Sequence, residues 1–161
     1  MTESDKKLAA EWQARYEDFY KALPGGFTEQ MAPAIEELDM EKRTIIASFQ
    51  TNALMANPMG TVHGGVIAGM ADTAAGMLSK ALIGAWMAGP TVSLSVNYLR
   101  PVRLGETVYV RASCQKNGRF LNYTTCEGYL ASAPDEVLFT GECVYFSAVE
   151  AGMQSRTESA K

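Results

Sequence analysis

The longest apolar stretch of the chain lies near its middle and has helical spacing. Across residues 44–79 the only charged side chain is that of Asp72. From residue 66 to residue 82 the large apolar side chains recur every three or four positions, a spacing typical of an α-helix. We therefore predict a buried helix over residues 65–84, ended by Gly84, with one carboxylate two turns from its start.

A second apolar stripe predicts a helix over residues 4–23. Ser4 is placed to cap this helix, and the proline and two glycines at residues 24–26 end it. The stripe comprises Leu8, Trp12, Tyr16, Phe19 and Leu23. A single stripe of this kind favours packing against the rest of the protein over a role in lining a pocket.

Alternating apolar and polar residues predict six β-strands on either side of the central helix. The strands are expected at residues 35–40, 43–50, 91–99, 108–114, 120–130 and 137–149. Asn117-Gly118 is a hairpin signal, and we expect the last four strands to form an antiparallel meander. The fold class is therefore α+β, with a curved antiparallel sheet wrapped around a long central helix and an extra N-terminal helix.

This order of elements predicts one main domain with two appendages. We place an N-terminal helical extension at residues 1–26, the main domain at residues 27–149 and a flexible C-terminal tail at residues 150–161. A chain of 161 residues is long enough to bury a sizeable core in a single domain.

Composition narrows the classes of function. The formal net charge of -4 argues against a nucleic-acid-binding protein, for which a basic balance is expected. The first residues lack the layout of a signal peptide. Asp72 and Lys80 interrupt the apolar helix, which argues against a membrane span. We therefore expect a cytoplasmic protein.

The cysteines do not have the spacing of a metal site. Cys114, Cys126 and Cys143 are odd in number and far apart, with no CxxC or Cys/His pattern. We interpret them as reduced thiols that behave as small apolar residues on strands. No metal and no cofactor is expected.

The predicted start of the central helix combines two glycines with a nearby carboxylate. A helix N-terminus offers unpaired N–H groups and about half a positive charge, and at Gly64 and Gly65 no side chain blocks a carbonyl oxygen. Asp72 is a candidate base for water, or a nucleophile toward an acyl carbon. Taken alone, each residue has a simpler explanation: a tight turn for the glycines and a structural hydrogen bond for Asp72.

Two more polar residues lie in the same stretch. His63, the only histidine, could donate a hydrogen bond or orient the loop, and Asn57 could hold the loop or a water molecule. The chain has no Gly-x-Ser-x-Gly motif, so a Ser/His/Asp hydrolase is not supported. The combination favours chemistry on an acyl carbonyl without a metal.

At this point the sequence resembles a known family. Asn57-x-x-Gly60-x-x-His63-Gly64-Gly65 followed by Asp72 resembles the motif of hotdog-fold acyl-CoA thioesterases, specifically the PaaI-like (phenylacetyl-CoA thioesterase-like) branch. The turn Arg100-Pro101-Val102 with Gly105-Glu106 is similar as well. The resemblance covers about residues 33–147 and implies the hotdog fold.

The resemblance also implies an activity, which is hydrolysis of an acyl- or aryl-CoA thioester to a free acid and coenzyme A. By similarity, Asp72 would act as general base or nucleophile, and the Gly64 N–H would polarise the thioester carbonyl. Asn57 and His63 would order the site, and Thr91 would position the water or the carboxylate. The family's sites lie between two subunits, which implies a homodimer, and relatives imply a homotetramer.

Two further sets of residues are expected to contact the substrate. Basic residues on an otherwise acidic chain suit the phosphates of coenzyme A: Arg100, Arg103, Lys116 and Arg119. Gly65 and flexible apolar side chains suit the acyl group: Met55, Met59 and Val62. Solvated strand faces and plain core packing are the alternatives for the two sets.

Two other functions remain open at this stage. One is a non-catalytic module that binds or senses acyl-CoA on the same fold. The other is a hotdog enoyl-CoA hydratase or dehydratase, in which a histidine and an acidic residue act on carbon-bound protons and hydroxyls. The spacing of His63 in the motif argues against the second alternative.

Overall fold

The computed structural model describes residues 1–85 and 89–147. Its helices are α1 (Glu3–Ala22), α2 (Phe27–Met31) and α3 (Gly64–Ile83), with a short 3-10 turn at Ala53–Met55. Its strands are β1 (Ala34–Asp39), β2 (Thr44–Gln50), β3 (Thr91–Tyr98), β4 (Thr107–Asn117), β5 (Leu121–Leu130) and β6 (Phe139–Phe146). The expected tail at 150–161 and the last residues of the expected final strand lie outside the described residues.

The six strands form one antiparallel sheet in the order β1-β2-β4-β5-β6-β3. The expected meander of the last four strands is wrong, because β3 pairs with β6 and β4 pairs with β2. The physical reason is the helix between β2 and β3. A 20-residue helix crosses the sheet, so it delivers β3 to the far edge, and the chain then returns to β2.

Helix α3 lies against the concave face of this sheet and supplies the centre of the core. Met70, Ala71, Ala74 and Leu78 are fully buried. The helix is long and apolar enough to cross a membrane, but 56% of that window is buried inside the protein. The curved sheet around a central helix confirms the fold class expected from the sequence.

Helix α1 begins earlier than expected and packs with only part of its stripe. Its cap is Thr2 rather than Ser4, because the Thr2 hydroxyl accepts from Asp5 N and the Asp5 carboxylate accepts from Thr2 N. Trp12 and Tyr16 are buried, whereas the last two members of the stripe are exposed. The helix covers edge strand β1 and is tied to it by the Asp5 carboxylate, which accepts from Met40 N.

Helix α2 was not expected, since five residues carry too little pattern to predict a helix. It begins after Gly26 and ends at Ala32, which adopts a left-handed conformation with φ of 41°. Its Met31 side chain is buried. The segment therefore belongs to the packed body of the protein and lies against α3.

Candidate active site

The N-terminus of α3 is arranged by His63 and leaves one backbone donor unused. His63 is the N-cap, and its Nδ1 accepts a hydrogen bond from Gly65 N at 2.9 Å. The Gly64 carbonyl accepts from the Tyr98 hydroxyl at 3.0 Å. No described residue accepts from Gly64 N. The predicted oxyanion donor is therefore available, while the second glycine's N–H is occupied by the histidine.

The loop before α3 is held by Asn57. Its Oδ1 accepts from Met59 N at 2.9 Å and from Thr61 N at 3.2 Å, and its Nδ2 donates to Thr61 Oγ1 at 2.8 Å. Gly60, with φ of 77°, allows the turn between them. Since these bonds all stay within the loop, Asn57 orders the approach to the helix.

Two hydroxyl groups hold the carboxylate of Asp72. Thr91 donates to Asp72 Oδ1 at 2.8 Å, as the resemblance implied. The Tyr145 hydroxyl lies 3.0 Å from the same oxygen and 2.6 Å from the Asp72 carbonyl. No described residue donates to Asp72 Oδ2 or forms an ion pair with this side chain. One carboxylate oxygen is thus held, and the other has no hydrogen-bond partner among the described residues.

Tyr145 is a site residue that sequence reasoning missed. It lies on β6, and its side chain is 2% exposed. Burial raises its pKa well above the ordinary value, so the hydroxyl keeps its proton and acts as a donor. The alternation of β6 marked Tyr145 as inward-facing, but only the packing of β6 under α3 brings it to Asp72.

Within one chain the two reactive groups are too far apart to act on one carbonyl. Asp72 follows Gly64 by eight residues on the same helix, which corresponds to about 12 Å along the axis. Strand β3 links the two groups, since Tyr98 contacts Gly64 at one end and Thr91 contacts Asp72 at the other. The groups lie at opposite ends of β3, an edge strand of the described sheet.

The expected apolar lining is divided between core and surface. Met55 and Val62 are buried beneath the loop, whereas Met59 is 83% exposed at its tip. Of this set, Met59 and Gly65 are open to solvent.

The expected basic residues lie at two ends of the sheet. Arg103 pairs with Thr61 near the start of α3, and Arg100 donates to the Val137 carbonyl at 2.8 Å. Lys116 lies at the far end of β4, and Arg119 lies in the hairpin beyond it, over the Phe120 ring. Within one chain the four basic residues therefore do not form a single basic surface.

Other reactive groups are limited within residues 1–85 and 89–147. The three cysteines lie on β4, β5 and β6 as expected, and all are free thiols. No group of three or more His, Cys, Asp or Glu side chains in these ranges comes together as a metal site. The absence of a metal or cofactor from the site stays a prediction.

Comparison with known proteins agrees with this geometry. Residues 59–134 match the model of the thioesterase superfamily. The chain is 32% identical over 106 residues to acyl-coenzyme A thioesterase THEM4 of Xenopus laevis, which covers 65% of the chain and 45% of that protein. It is 31% identical over 85 residues to human acyl-coenzyme A thioesterase 13, with 52% and 59% covered. The chain spans about half the length of the curated relatives it matches.

Solved structures share the fold at low sequence identity. A phenylacetic acid degradation-related protein from Ralstonia eutropha aligns with a TM-score of 0.71 at 21% identity, covering 84% of this chain and 98% of that one. The PaaI protein of E. coli aligns with a TM-score of 0.70 at 16% identity, covering 89% and 96%. The smu.793 protein of Streptococcus mutans, solved with acetyl CoA, aligns with a TM-score of 0.59 at 21% identity, covering 70% and 86%.

The family match, the sheet order and the position of α3 point to one conclusion. The matched residues include the N-terminus of α3, Asp72 and strands β3, β4 and β5. The chain has the hotdog fold, and residues 59–134 match the thioesterase superfamily.

Proposed function

We propose that this protein is an acyl-CoA thioesterase of the PaaI-like branch. It hydrolyses an acyl- or aryl-CoA thioester to a carboxylic acid and free coenzyme A. The observation that carries the proposal is that one donor and one acceptor have no hydrogen-bond partner among the described residues. The donor is the Gly64 N–H, and the acceptor is Asp72 Oδ2. The other carboxylate oxygen of Asp72 accepts from Thr91 and Tyr145.

Each group has one task in the reaction. Asp72 Oδ2 takes a proton from water as the water oxygen attacks the thioester carbon, or it attacks that carbon itself to give an anhydride that water then hydrolyses. The carbonyl oxygen gains negative charge, and the Gly64 N–H at the positive end of α3 stabilises it. The carbon–sulfur bond then breaks, and the thiolate leaves as coenzyme A and takes up a proton.

Strand β3 explains how the two groups meet. Seven of its eight residues are exposed at the sheet edge or on its faces, and apolar Val92 is 57% exposed there. An open apolar edge favours pairing with another strand. Two copies paired antiparallel through β3 place Thr91 of one opposite Tyr98 of the other. This twofold arrangement brings Gly64 of one protomer to Asp72 of its partner, and the reverse.

The same dimer supports a role for the divided basic residues. Arg100 and Arg103 lie at the Gly64 end of one chain, and Lys116 and Arg119 lie at the Asp72 end. Twofold pairing places the first pair of one protomer and the second pair of its partner at the same end of the joined sheet. We assign them to the phosphates of coenzyme A, and we propose a homotetramer in a reducing, cytoplasmic environment.

Replacing Gly64 tests the proposed oxyanion donor directly. Gly64 is the first residue of α3, where proline fits the helix, and His63 before it already has the extended backbone that proline requires, with ψ of 137°. Gly64→Pro removes the N–H, and we expect kcat for thiol release to fall about a hundredfold or more. Gly64→Ala keeps the N–H, and its Cβ would meet Tyr98 at an ordinary 3.5 Å, so it should keep most activity.

Replacing Asp72 tests the carboxylate. Asp72→Asn preserves an oxygen that can accept from Thr91 and Tyr145, so the fold should be retained while turnover is lost. Thiol release is measured across short, medium, long and aryl acyl-CoAs, with Asp18→Asn on the surface of α1 as the control. Wild-type rates in Asp72→Asn would refute the mechanism. Thermal stabilisation by acyl-CoA without thiol release would identify a binding module instead, and hydration of enoyl-CoA would identify a hydratase.

A further inference from the structure

The backbone on either side of the Gly64 N–H is held by hydrogen bonds. The His63 N–H donates to the Met55 carbonyl at 2.8 Å, and the Gly65 N–H donates to His63 Nδ1 at 2.9 Å. Both bonds stay within the loop and the first turn of α3. The Gly64 carbonyl is different, because it accepts at 3.0 Å from the hydroxyl of Tyr98, which lies on strand β3.

The Tyr98 ring also lies against Gly64. A Cβ built on Gly64 would be 3.5 Å from two carbons of the ring, which is ordinary van der Waals contact. The side chain therefore meets the residue that carries the proposed oxyanion donor with both its ring and its hydroxyl. Tyr98 is nevertheless 54% exposed, so its contribution is not that of a core residue.

The two consecutive glycines give the start of α3 conformational freedom that has to be restrained. Without a Cβ at residue 64 or 65, the first peptide groups of the helix can tilt at little steric cost. An oxyanion donor is effective only if its N–H already points to where the charge develops. In the part of the chain that the structure describes, the Tyr98 hydroxyl is the side-chain group from another element that bonds Gly64.

Strand β3 connects this bond to the other half of the proposed site. In the β3-paired dimer, Tyr98 of one protomer lies opposite Thr91 of its partner. Thr91 in turn donates to the Asp72 carboxylate. The paired strands would therefore align the Gly64 N–H of one protomer with the carboxylate of the other.

We propose that Tyr98 is the positioning residue that holds the Gly64 N–H in line with the thioester carbonyl. This inference rests on the function proposed above. The proton of the hydroxyl is directed at the Gly64 carbonyl, so Tyr98 acts through the backbone and not on the substrate itself. Removing the hydroxyl should weaken stabilisation of the oxyanion and leave the binding of coenzyme A unchanged.

Tyr98→Phe tests this role, because it removes the hydroxyl and keeps the ring on Gly64. In thiol release from acyl-CoA we expect kcat to fall about three- to tenfold, less than in Gly64→Pro, and KM to change less than about twofold. Light scattering should show the wild-type mass. Tyr109→Phe is the matched control, because Tyr109 is also partly exposed but stacks on Tyr129, and its kcat should match the wild type.

Two analogues of hexanoyl-CoA that cannot be hydrolysed measure the donor without turnover. In the ketone a CH2 group replaces the thioester sulfur, and in the thioether a CH2 group replaces the carbonyl. Only the ketone offers an oxygen to the Gly64 N–H. By calorimetry, Tyr98→Phe should bind the ketone about three- to tenfold more weakly than the wild type does and bind the thioether equally well.

These measurements separate failure of this inference from failure of the proposed function. If the wild type releases no thiol from any acyl-CoA, the proposed function is wrong, and the two affinities still decide the role of Tyr98. Unchanged kcat and ketone affinity in Tyr98→Phe would overturn the inference. A loss that appears in KM and in both affinities, or a lower mass, would also overturn it by assigning Tyr98 to substrate binding or to the dimer interface. If neither analogue binds the wild type, both proposals fail.

Discussion

Single residues of the motif from Asn57 to Asp72 differ in whether their polar groups are already occupied. His63 Nδ1 and Asn57 Oδ1 accept hydrogen bonds from the helix N-terminus and the loop, whereas the Gly64 N–H and one oxygen of Asp72 have no described partner. Occupied groups hold the backbone, and unoccupied ones can meet a substrate. The motif contains groups with and without a hydrogen-bond partner, and only the contacts in the structure distinguish them.

Tyr145→Phe tests the anchoring of Asp72 at this scale. The change keeps the ring and removes one hydroxyl, whose proton is shared between the Asp72 carbonyl at 2.6 Å and Asp72 Oδ1 at 3.0 Å. A hydrogen bond to a charged group is worth about 1.5–3 kcal/mol, so kcat should fall roughly tenfold to a hundredfold. Since Tyr145 lies beneath α3 and is buried, KM should change little.

The control for that variant is Tyr129→Phe. Tyr129 is also buried, but it stacks on Tyr109 and carries Arg111 over its ring, away from Asp72. Both variants lose a tyrosine hydroxyl, and only Tyr145→Phe should lose turnover. Equal losses of kcat in the two variants, or a loss confined to KM, would contradict an anchoring role.

Among the elements, helix α1 is attached to the sheet through its first turn. Its Asp5 carboxylate accepts from both the backbone and the hydroxyl of Thr2 at 2.7 Å, and from Met40 N at 3.3 Å. The same side chain therefore caps the helix and ties it to the end of β1. Docking of α1 in turn fixes where α2 begins, and so where Phe27 meets α3.

Asp5 gives this docking a predictable dependence on pH. The hydrogen bonds from Thr2 hold the pKa of Asp5 below its usual 3.8. A lowered folded-state pKa stabilises the protein above pH 3.8, and that contribution is lost as the pH falls through the folded-state value. Near neutral pH the Tm of the wild type should therefore be higher than that of Asp5→Asn. The difference in Tm should disappear in acid.

Thermal melting by circular dichroism across this pH range checks the expectation. Asp18→Asn is the control, since Asp18 pairs only with Lys21 on the exposed side of the same helix. The Tm of Asp18→Asn should differ little from that of the wild type at every pH. A difference in Tm for Asp5→Asn that persists unchanged below the folded-state pKa would contradict the linkage.

The whole molecule is functionally incomplete as one chain in the proposed mechanism. About 12 Å of helix separates Gly64 from Asp72, and β3, which links their two ends, is an open edge. The dimer proposed here closes that edge and assembles two identical sites at once. It also explains why apolar side chains of β3 remain exposed on the side of the sheet that carries α3.

Leu94→Glu tests the dimer without touching a site residue. Leu94 is at the middle of β3 and is 37% exposed, so the folded protomer should tolerate the change. Two copies of the new carboxylate would be buried close together at the paired edge, which is costly. We expect light scattering to show a mass below that of the wild-type homotetramer because the β3-paired dimer has dissociated, and we expect thiol release to fall more than about tenfold.

Leu23→Glu on α1 is the matched control, because Leu23 is 55% exposed and far along the chain from β3. It should leave both mass and activity unchanged. A Leu94→Glu protein that is monomeric yet fully active would contradict a site shared between protomers.

The sequence by itself determined the central helix and the strands. Periodicity is a local property, so α3 and all six strands were predicted within a few residues, and the spacing from Asn57 to Asp72 identified the family. The cap of α1 at Thr2 and the short α2 were missed. A five-residue helix has too few turns to show a period, and two neighbouring hydroxyl residues offered competing caps.

Only the tertiary structure decided the pairing of the strands and the contacts between distant residues. In the tertiary structure β3 lies at the edge of the sheet, because the long helix α3 crosses the sheet before β3 can pair. The tertiary structure also brought Tyr145 to Asp72 from a strand 73 residues away, and it seated Phe27 on Gly69. Such contacts join residues with no shared local pattern, so their positions follow from packing the elements together and not from the order of residues along the chain.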